Sequence, residues 1–383
     1  MSVTAPKGFV AAGAHIGIKP SGNPDLSLVA TADGLPVAAA GTFTQNLACA
    51  GPVQVSKRHL AVGAHASAVI LNSGNANCAT GTDVAVAEAM CDATAAALGC
   101  AATDVLVCST GLIGIPLDGG LVTAGIAALA PQRSADGGAA AARAIMTTDT
   151  VPKEVVVTGD TWTIGGMAKG AAMLAPNMAT MLAVLTTDAA VEPDELQAAL
   201  SAAVAGSFNR IVVDGCTSTN DTVLLLASGV AGPPADPTEF WVGLGAATLS
   251  LAQQMARDAE GHTKVVTIQI DGAADEVEAE RAARKLATSL LVKCSFYGQD
   301  PYWGRVLSDL GTAGVALAID DVTIAYDDVV VSTGRAPTGA DAAHVLHQPE
   351  FTLRCDLGVG EGSYWVITND LTHAYVDENM GTS

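Results

Sequence analysis

Lys169-Gly-Ala-Ala-Met-Leu-Ala-Pro-Asn-Met-Ala-Thr-Met-Leu182 crosses the middle of this 383-residue chain and carries its most informative local pattern. One hydroxyl, that of Thr180, stands among small and apolar neighbours, after a stretch with Gly and Pro and before a strand-like run, Met181 to Leu185. Two readings fit. Apolar runs containing Thr are common as core strands. Alternatively, Thr180 is a nucleophile that becomes active when the Ala179-Thr180 bond is cut. A threonine hydroxyl needs an adjacent base, and cleavage supplies one. The new α-amine titrates near ~7.7–8.0, so a useful share is unprotonated at neutral pH. The same hydroxyl can do the cutting: Oγ attacks the Ala179 carbonyl, forms an ester, and water releases it.

Outward from this segment, short apolar runs alternate with Ala-rich helical stretches. Ala66 to Leu71 reads as a buried strand ending at an Asn/Gly loop, Asp83 to Leu98 as a helix stopped by Gly99, and Asp104 to Cys108 as a strand. Further helices are expected over 119–130, 137–146, 193–205, 245–260 and 276–290. Strands are expected over 153–158, 161–168, 181–187, 211–213, 223–227, 264–270, 322–331 and 364–369. Such alternation predicts layered α/β architecture, with a smaller C-terminal α/β unit from about residue 275.

Half of the residues are hydrophobic, 15% are charged and 40 are Gly, which fits a globular enzyme with a large core. The formal net charge of −21 argues against nucleic acid and against anionic membrane surfaces as partners. It would also repel an anionic amino acid, so a site for one needs local cations. The start of the chain has no basic region followed by an apolar stretch, and no run is long enough to span a bilayer. The eight cysteines are scattered without a C-x-x-C pair, which reads as reduced thiols. The expectation is a cytoplasmic protein.

Several blocks carry a family resemblance. Besides Lys169–Leu182, these are Asn72-Ser-Gly-Asn-Ala-Asn77, Ser109-Thr-Gly-Leu-Ile-Gly114 and Ile145-Met-Thr-Thr-Asp-Thr150. Ser218-Thr-Asn-Asp-Thr222, Asp258-Ala-Glu-Gly261 and Asp300-Pro-Tyr-Trp-Gly-Arg305 follow in the family's order. Together they cover nearly the whole chain, which resembles the ornithine acetyltransferase family, also called bifunctional glutamate N-acetyltransferase/amino-acid acetyltransferase. The resemblance implies a layered, self-cleaving, N-terminal-nucleophile-like α/β fold. It implies an alpha fragment of 1–179 and a beta fragment of 180–383, commonly joined in heterotetramers. It also implies an acyltransferase of arginine biosynthesis that moves acetyl from N2-acetyl-L-ornithine to L-glutamate through acetyl-Thr180, with no cofactor and no metal.

The site residues follow from the same blocks. Ser109-Thr110-Gly111 reads as a tight turn after a strand, where backbone N–H groups can converge; the resemblance assigns Thr110 and Gly111 to the oxyanion. Gly111-Leu-Ile-Gly114 lacks both G-x-G-x-x-G and the Walker lysine, so a phosphate loop is a weak reading. Lys169 has apolar company on both sides, and a buried ammonium needs an anion; the resemblance makes it a substrate contact. Thr147, in a block that also reads as a helix end or turn, is carried over as another. Glu260 is read as closing a helix before Gly261, where the dipole disfavours a carboxylate, and the resemblance gives it a substrate role. At the C-terminus, Asn379 matches, and Ser383 is chosen over Thr382 as the terminal hydroxyl. The chain departs from the family there, being one residue shorter and lacking a Tyr. It departs also at Ala172, where Gly is common, at Cys216, where an acid is common, and at Tyr302, where Asn is common.

Other features have plainer readings. His344-x-x-His347 has metal-like spacing without a third ligand, in surroundings that suggest a surface loop. Asp320-Asp321 and Asp327-Asp328 flank a strand-like stretch without an EF-hand pattern and read as solvent-facing hairpin ends. Three rivals remain: a bifunctional enzyme that also takes acetyl-CoA, an amidase or aminopeptidase of related fold in which water is the acceptor, and a non-enzymatic binding protein, which predicts an intact single chain and no acetyl adduct.

Overall fold

Strands apolar on both faces need cover on both sides, and this chain meets that demand by stacking sheets between helices. The computed structural model describes residues 2–173 and 181–380. Ala179, Thr180 and Ser383 therefore lie outside the described residues. The strands are β1 (Phe9–Ala14), β2 (Leu26–Thr31), β3 (Val37–Phe43), β4 (His65–Ala66), β5 (Ala68–Asn75), β6 (Val105–Leu112), β7 (Lys153–Thr158), β8 (Thr163–Lys169) and β9 (Leu182–Ala189). They continue with β10 (Ile211–Val212), β11 (Thr222–Gly232), β12 (Val265–Ala273), β13 (Thr323–Tyr326), β14 (Val329–Thr333), β15 (Ala336–Pro337), β16 (Glu350–Asp356) and β17 (Gly362–Asn369). The helices are α1 (Gly51–Gly63), α2 (Asp83–Leu98), α3 (Gly119–Leu129), α4 (Gly138–Ala144), α5 (Pro193–Ala205) and α6 (Pro237–Ala256). Then come α7 (Glu276–Ala287), α8 (Leu290–Tyr297), α9 (Trp303–Leu310), α10 (Ala343–Leu346) and α11 (His373–Glu378).

The chain divides into two compact units: Met1–Asn209 with Cys216–Met255, and Arg210–Gly215 with Ala256–Ser383. In the first, a four-stranded sheet of order β1-β2-β5-β6 and a six-stranded sheet of order β4-β3-β11-β9-β8-β7 lie face to face. Period-2 alternation sorts their side chains. On β6, Val105 and Val107 point to Met90 of α2 and Ile126 of α3, while Leu106 and Cys108 meet Leu182, Val184, Leu224 and Leu226 of the other sheet. On β5, Ile70 takes the helix side and Val69 and Leu71 the sheet side. The far face of the six-stranded sheet is covered too: Leu251 of α6 meets Leu185 and Val155 around Gly166, and Gln197 of α5 accepts from the Gly41 N–H at 3.0 Å. The result is helix, sheet, sheet, helix, as the alternation predicts.

The second unit is a seven-stranded mixed sheet of order β10-β17-β12-β16-β13-β14-β15. One face is dry: Val266, Ile268 and Ile270 of β12 pack with Leu286 of α7, Phe296 of α8 and Val306 of α9. The alternate residues Thr267, Gln269 and Asp271 are partly exposed. Because β12 lies inside this sheet, the longer segment of the unit starts at Ala256, ahead of the expected position at about 275.

Most predicted elements stand, and the exceptions have local causes. The helix expected over 276–290 breaks at Thr288, and Ser289 caps a new one by accepting from the Val292 N–H. The strand expected over 322–331 is a hairpin turning at Asp327, whose φ is +47° and whose carboxylate accepts from the Thr352 N–H. The helix expected over 245–260 runs earlier, Pro237–Ala256. His344 lies on the short α10 and His347 just beyond it, both exposed, instead of in a loop.

Leu224 on β11 is fully buried between the two sheets, whereas Val156 on edge strand β7 is 45% exposed. Leu224→Ala should cost about 2–5 kcal/mol in urea unfolding, and Val156→Ala under about 1 kcal/mol. Equal shifts of the two midpoints would contradict the layered packing described.

Candidate active site

In the first unit, four chain segments converge at one end of the two sheets. Thr110 and Gly111 form the end of β6, within the strand, where the sequence suggests a turn; the reason is their pairing with β5 across a bulge at Gly74 and Asn75. Gly111 has φ +138°, and a Cβ there would stand 2.3 Å from the Asn75 nitrogen, so only glycine fits. The Asn-rich block is the support for this strand end. Asn72 accepts from Ser109 Oγ at 2.5 Å and donates to the Asn75 carbonyl, while Asn75 donates to the Ile115 carbonyl. From the far sheet, Asn220 donates to the Ala76 and Ser109 carbonyls at 2.7 and 2.9 Å.

Lys169 ends β8 and is 3% exposed. Its Nζ donates to Thr110 Oγ1 at 3.3 Å and lies 4.0 Å from Asp149 Oδ2. Asp149 is the anion that the sequence reading requires but does not name. Its Oδ1 accepts from Lys153 Nζ at 2.5 Å and from the Gly170 N–H at 2.8 Å, and Oδ2 accepts from the Thr147 N–H at 2.9 Å. Burial pushes this carboxyl's pKa up, but the Lys169 and Lys153 charges and the two hydrogen bonds outweigh it and hold it at about 2. Thr147 is thereby fixed at the start of a loop whose carboxylate faces Lys169. Lys19 adds a further cation: it donates to the Met146 and Pro24 carbonyls at 2.6 and 2.7 Å, and burial lowers it to about 8. Its loop is shaped by buried Asp25, which accepts from the backbone N–H groups of Ile16, Gly17, Ile18 and Lys19.

The fourth segment leads into β9. Met181 donates its N–H to Asp221 Oδ1 at 3.0 Å, and its carbonyl accepts from the Thr222 N–H at 3.1 Å. Asp221 is wholly buried, and burial drives its pKa well above the ordinary carboxylate value, against the Met181 N–H, the Lys169 charge and the Ser218 hydroxyl. The Ser218–Thr222 block contains it, but nothing in local sequence separates it from a strand-entry Asp.

In the second unit, Asn379 donates to Glu260 Oε2 at 2.8 Å. Glu260 lies in the turn after α6, which ends at Ala256, so the predicted helix-end position and its dipole argument do not apply. Gly261, at φ +60°, lets the chain turn tightly against Tyr375. A recess beside Glu260 is lined by Lys293 and Asp370. Lys293 spends its donors on Val213, Thr368 and Asn369, which makes it a brace.

Thus the structure joins Thr110, Gly111, Thr147 and Lys169 in one unit, and Glu260 with Asn379 in the other. A sequence model described as the ArgJ family matches residues 10–381. The chain belongs to the ArgJ family. The arginine biosynthesis bifunctional protein ArgJ of Streptomyces coelicolor is 46% identical over 385 residues, covering 100% of both chains. That of Mycobacterium leprae is 46% identical over 390 residues, covering 100% of this chain and 95% of its own. Among solved structures, ornithine acetyltransferase complexed with ornithine from Mycobacterium tuberculosis is 47% identical, with a TM-score of 0.44 over 46% of this chain and 94% of that one. The ArgJ of Bacillus halodurans is 36% identical, with a TM-score of 0.49 over 51% of this chain and 96% of that one. No helix among the described residues is long and apolar enough to cross a membrane.

Two predictions follow from this geometry. Gly111→Ala should lower kcat by about 10²-fold or more, because the strand end must move; a rate within a few-fold of wild type would remove Gly111 from the site. Asp149 has a folded pKa of about 2 against 3.8, so its stabilisation is complete above about pH 4 and lost as pH falls toward 2. Asp149→Asn should therefore cost about 2 kcal/mol or more at pH 7 and flatten acid unfolding between pH 4 and 2. Unchanged acid unfolding would refute the ion-pair assignment.

Proposed function

We propose that this chain moves acetyl from N2-acetyl-L-ornithine to L-glutamate in arginine biosynthesis, through an acetyl ester on Thr180. As a member of the ArgJ family it is an acetyltransferase of that pathway. The observation that carries the mechanistic reading is the buried Thr110–Lys169 contact at the end of the strands that flank the Thr180 segment. There a hydroxyl, an ammonium and a glycine-dependent strand end meet in low dielectric, where fixed dipoles act strongly on developing charge.

The cycle begins with self-processing. Thr180 Oγ attacks the Ala179 carbonyl, the acyl group passes from nitrogen to oxygen, and water hydrolyses the ester to leave fragments 1–179 and 180–383. Thr180 then has a free α-amine. In turnover, Oγ attacks the acetyl carbonyl of N2-acetyl-L-ornithine while that amine takes the hydroxyl proton. Thr110 and Gly111 stabilise the oxyanion, the C–N bond breaks, and the leaving amine of ornithine takes the proton. L-Glutamate then accepts the acetyl group, which regenerates Thr180. Lys169 and Thr147 hold the amino-acid substrates, with Lys169 facing a carboxylate; Glu260, Asn379 and Ser383 complete the contacts on the resemblance. The fragments stay together as a heterotetramer in the cytoplasm. The relatives are called bifunctional proteins, which favours acetyl-CoA as a second acetyl donor to the same threonine.

Intact-mass measurement of wild type and Thr180→Ala tests the reading. The wild type should give two fragments, the second beginning at Thr180, and the mutant one whole chain. N-acetylornithine without glutamate should add one acetyl group to the second fragment. Ornithine release should depend on glutamate; release at the same rate in buffer would make the enzyme an amidase. A wild-type chain that stays whole and still transfers acetyl would overturn the mechanism.

A further inference from the structure

The peptide group that joins Met146 to Thr147 is held by opposite charges at its two ends. Its carbonyl accepts from Lys19 Nζ at 2.6 Å, and its N–H donates to Asp149 Oδ2 at 2.9 Å. A peptide group is planar, so holding both ends fixes the direction in which the chain enters Thr147. Asp149 belongs to the same loop, whereas Lys19 stands 127 residues before the carbonyl it grips. Its stem lies on the end of β5. Gly74 there has φ +97°, and a Cβ on it would stand 2.8 Å from Lys19 Cγ and 3.3 Å from Ile18 Cγ2. Gly74 is also the residue that pairs with Gly111. Its neighbour Ser73 joins the same segments, donating its N–H to the Asp25 carbonyl at 2.9 Å and its hydroxyl to the Ala144 carbonyl at 2.6 Å. Packing over Gly74 needs only the methylene stem of Lys19. The ammonium serves the Pro24 and Met146 carbonyls, and a charged donor makes the stronger hydrogen bond.

We propose that Lys19 is a positioning residue for acetyl transfer, whose ammonium seats Thr147 for the amino-acid substrate by gripping the Met146 carbonyl. This rests on the reading of Thr147 as a substrate contact. The grip depends on charge. Burial lowers the Lys19 ammonium to about 8; Asp25 and Asp149 oppose that shift and Lys169 adds to it. His15, on the same loop, faces Asp25 at 3.0 Å. Below that pH the donor is charged. As pH rises through about 8 its proton passes to solvent, and the Met146 carbonyl keeps only a neutral amine as donor. The seat of Thr147 then loosens, and substrate binding weakens on the alkaline side.

Kinetics of the full-length protein test this, with N2-acetyl-L-ornithine as donor and L-glutamate as acceptor. Lys19→Met keeps a stem over Gly74 and removes the charge and both hydrogen bonds. KM for N2-acetyl-L-ornithine should rise about tenfold while kcat stays within about threefold, because the seat is lost and the strand end is kept. Lys19→Arg keeps a charged donor and should hold KM within about threefold of wild type. The pH profile separates these two enzymes. In wild type, kcat/KM should fall with a midpoint of about 8. A guanidinium stays charged, so the arginine variant should hold its value to about pH 9.5. An unchanged KM in Lys19→Met, a loss confined to kcat, or the wild-type alkaline fall persisting in Lys19→Arg would each overturn the inference. Thr147→Val, measured alongside, tests the reading beneath it. If that variant keeps its KM, Thr147 is no substrate contact and both readings fall. If its KM rises and that of Lys19→Met does not, the inference alone falls. Should neither lysine variant fold, the wild-type profile decides: an alkaline fall at about 8 supports the grip, and a flat profile refutes it.

Discussion

Two lysines buried side by side need one carboxylate between them, and the site depends on Asp149 for it. Lys153 opens β7 and Lys169 closes β8, and the register that pairs Lys153 with Ala168 brings both ammonium groups to the same end of one hairpin. Neither is more than 3% exposed. Left to themselves they would repel and lose hydration, a cost of several kcal/mol per ion. Asp149 answers both, and its remaining hydrogen bonds come from Thr147 and Gly170, one on each flank of the lysine pair. The loop conformation, the strand ends and the charge state are thus one arrangement. A change in any of them reaches Thr110 through Lys169.

The charge of the whole molecule bears on the role proposed for that arrangement. A protein with net charge −21 holds anionic amino acids away on average. Scattered surface lysines would be screened within about 8–10 Å at ordinary ionic strength. Lys169, which is buried, and Lys19, which is partly buried, lie where screening is weaker than at the surface. Lys153 is largely cancelled by its 2.5 Å partner, so the remaining positive character lies toward Thr110.

What the sequence disclosed followed the range of the interactions involved. Layering was legible because apolar periodicity is local: β7 at Lys153–Thr158 and α2 at Asp83–Leu98 fall where spacing and Gly99 put them. Motif blocks located Thr110, Gly111, Thr147 and Lys169. The partners of those residues were not legible. Asp149 sits within the Thr147 block, but its pairing with Lys169 depends on strands β7 and β8 coming together. Asp221 meets Met181 only through the parallel pairing of β9 with β11. Lys19 enters through a loop organised by Asp25, from the far N-terminus. Glu260 was misplaced at a helix end because Arg257-Asp-Ala-Glu260 offers no Gly or Pro stop before Gly261, although the helix ends at Ala256. Local chemistry names the reactive groups, and tertiary pairing names what holds them.

The position of β9 bears on how a chain could be cut in its own core and survive. β9 is fully buried, runs parallel to β11 and is antiparallel to β8. On a cut before Thr180, β8 would belong to the first fragment and β9 to the second, yet six residues of each remain paired from Ile164–Thr187 to Lys169–Leu182. β3, of the first fragment, likewise stays paired with β11 of the second. In the six-stranded sheet two strands of the second fragment would lie between pairs of strands of the first, and separating the fragments would expose strand edges on both and the apolar layer beneath. Loss of one peptide bond removes none of these hydrogen bonds. The same interleaving requires the order of events. Neither fragment would have its full sheet alone, so under the proposed cleavage folding of the whole chain would precede the cut.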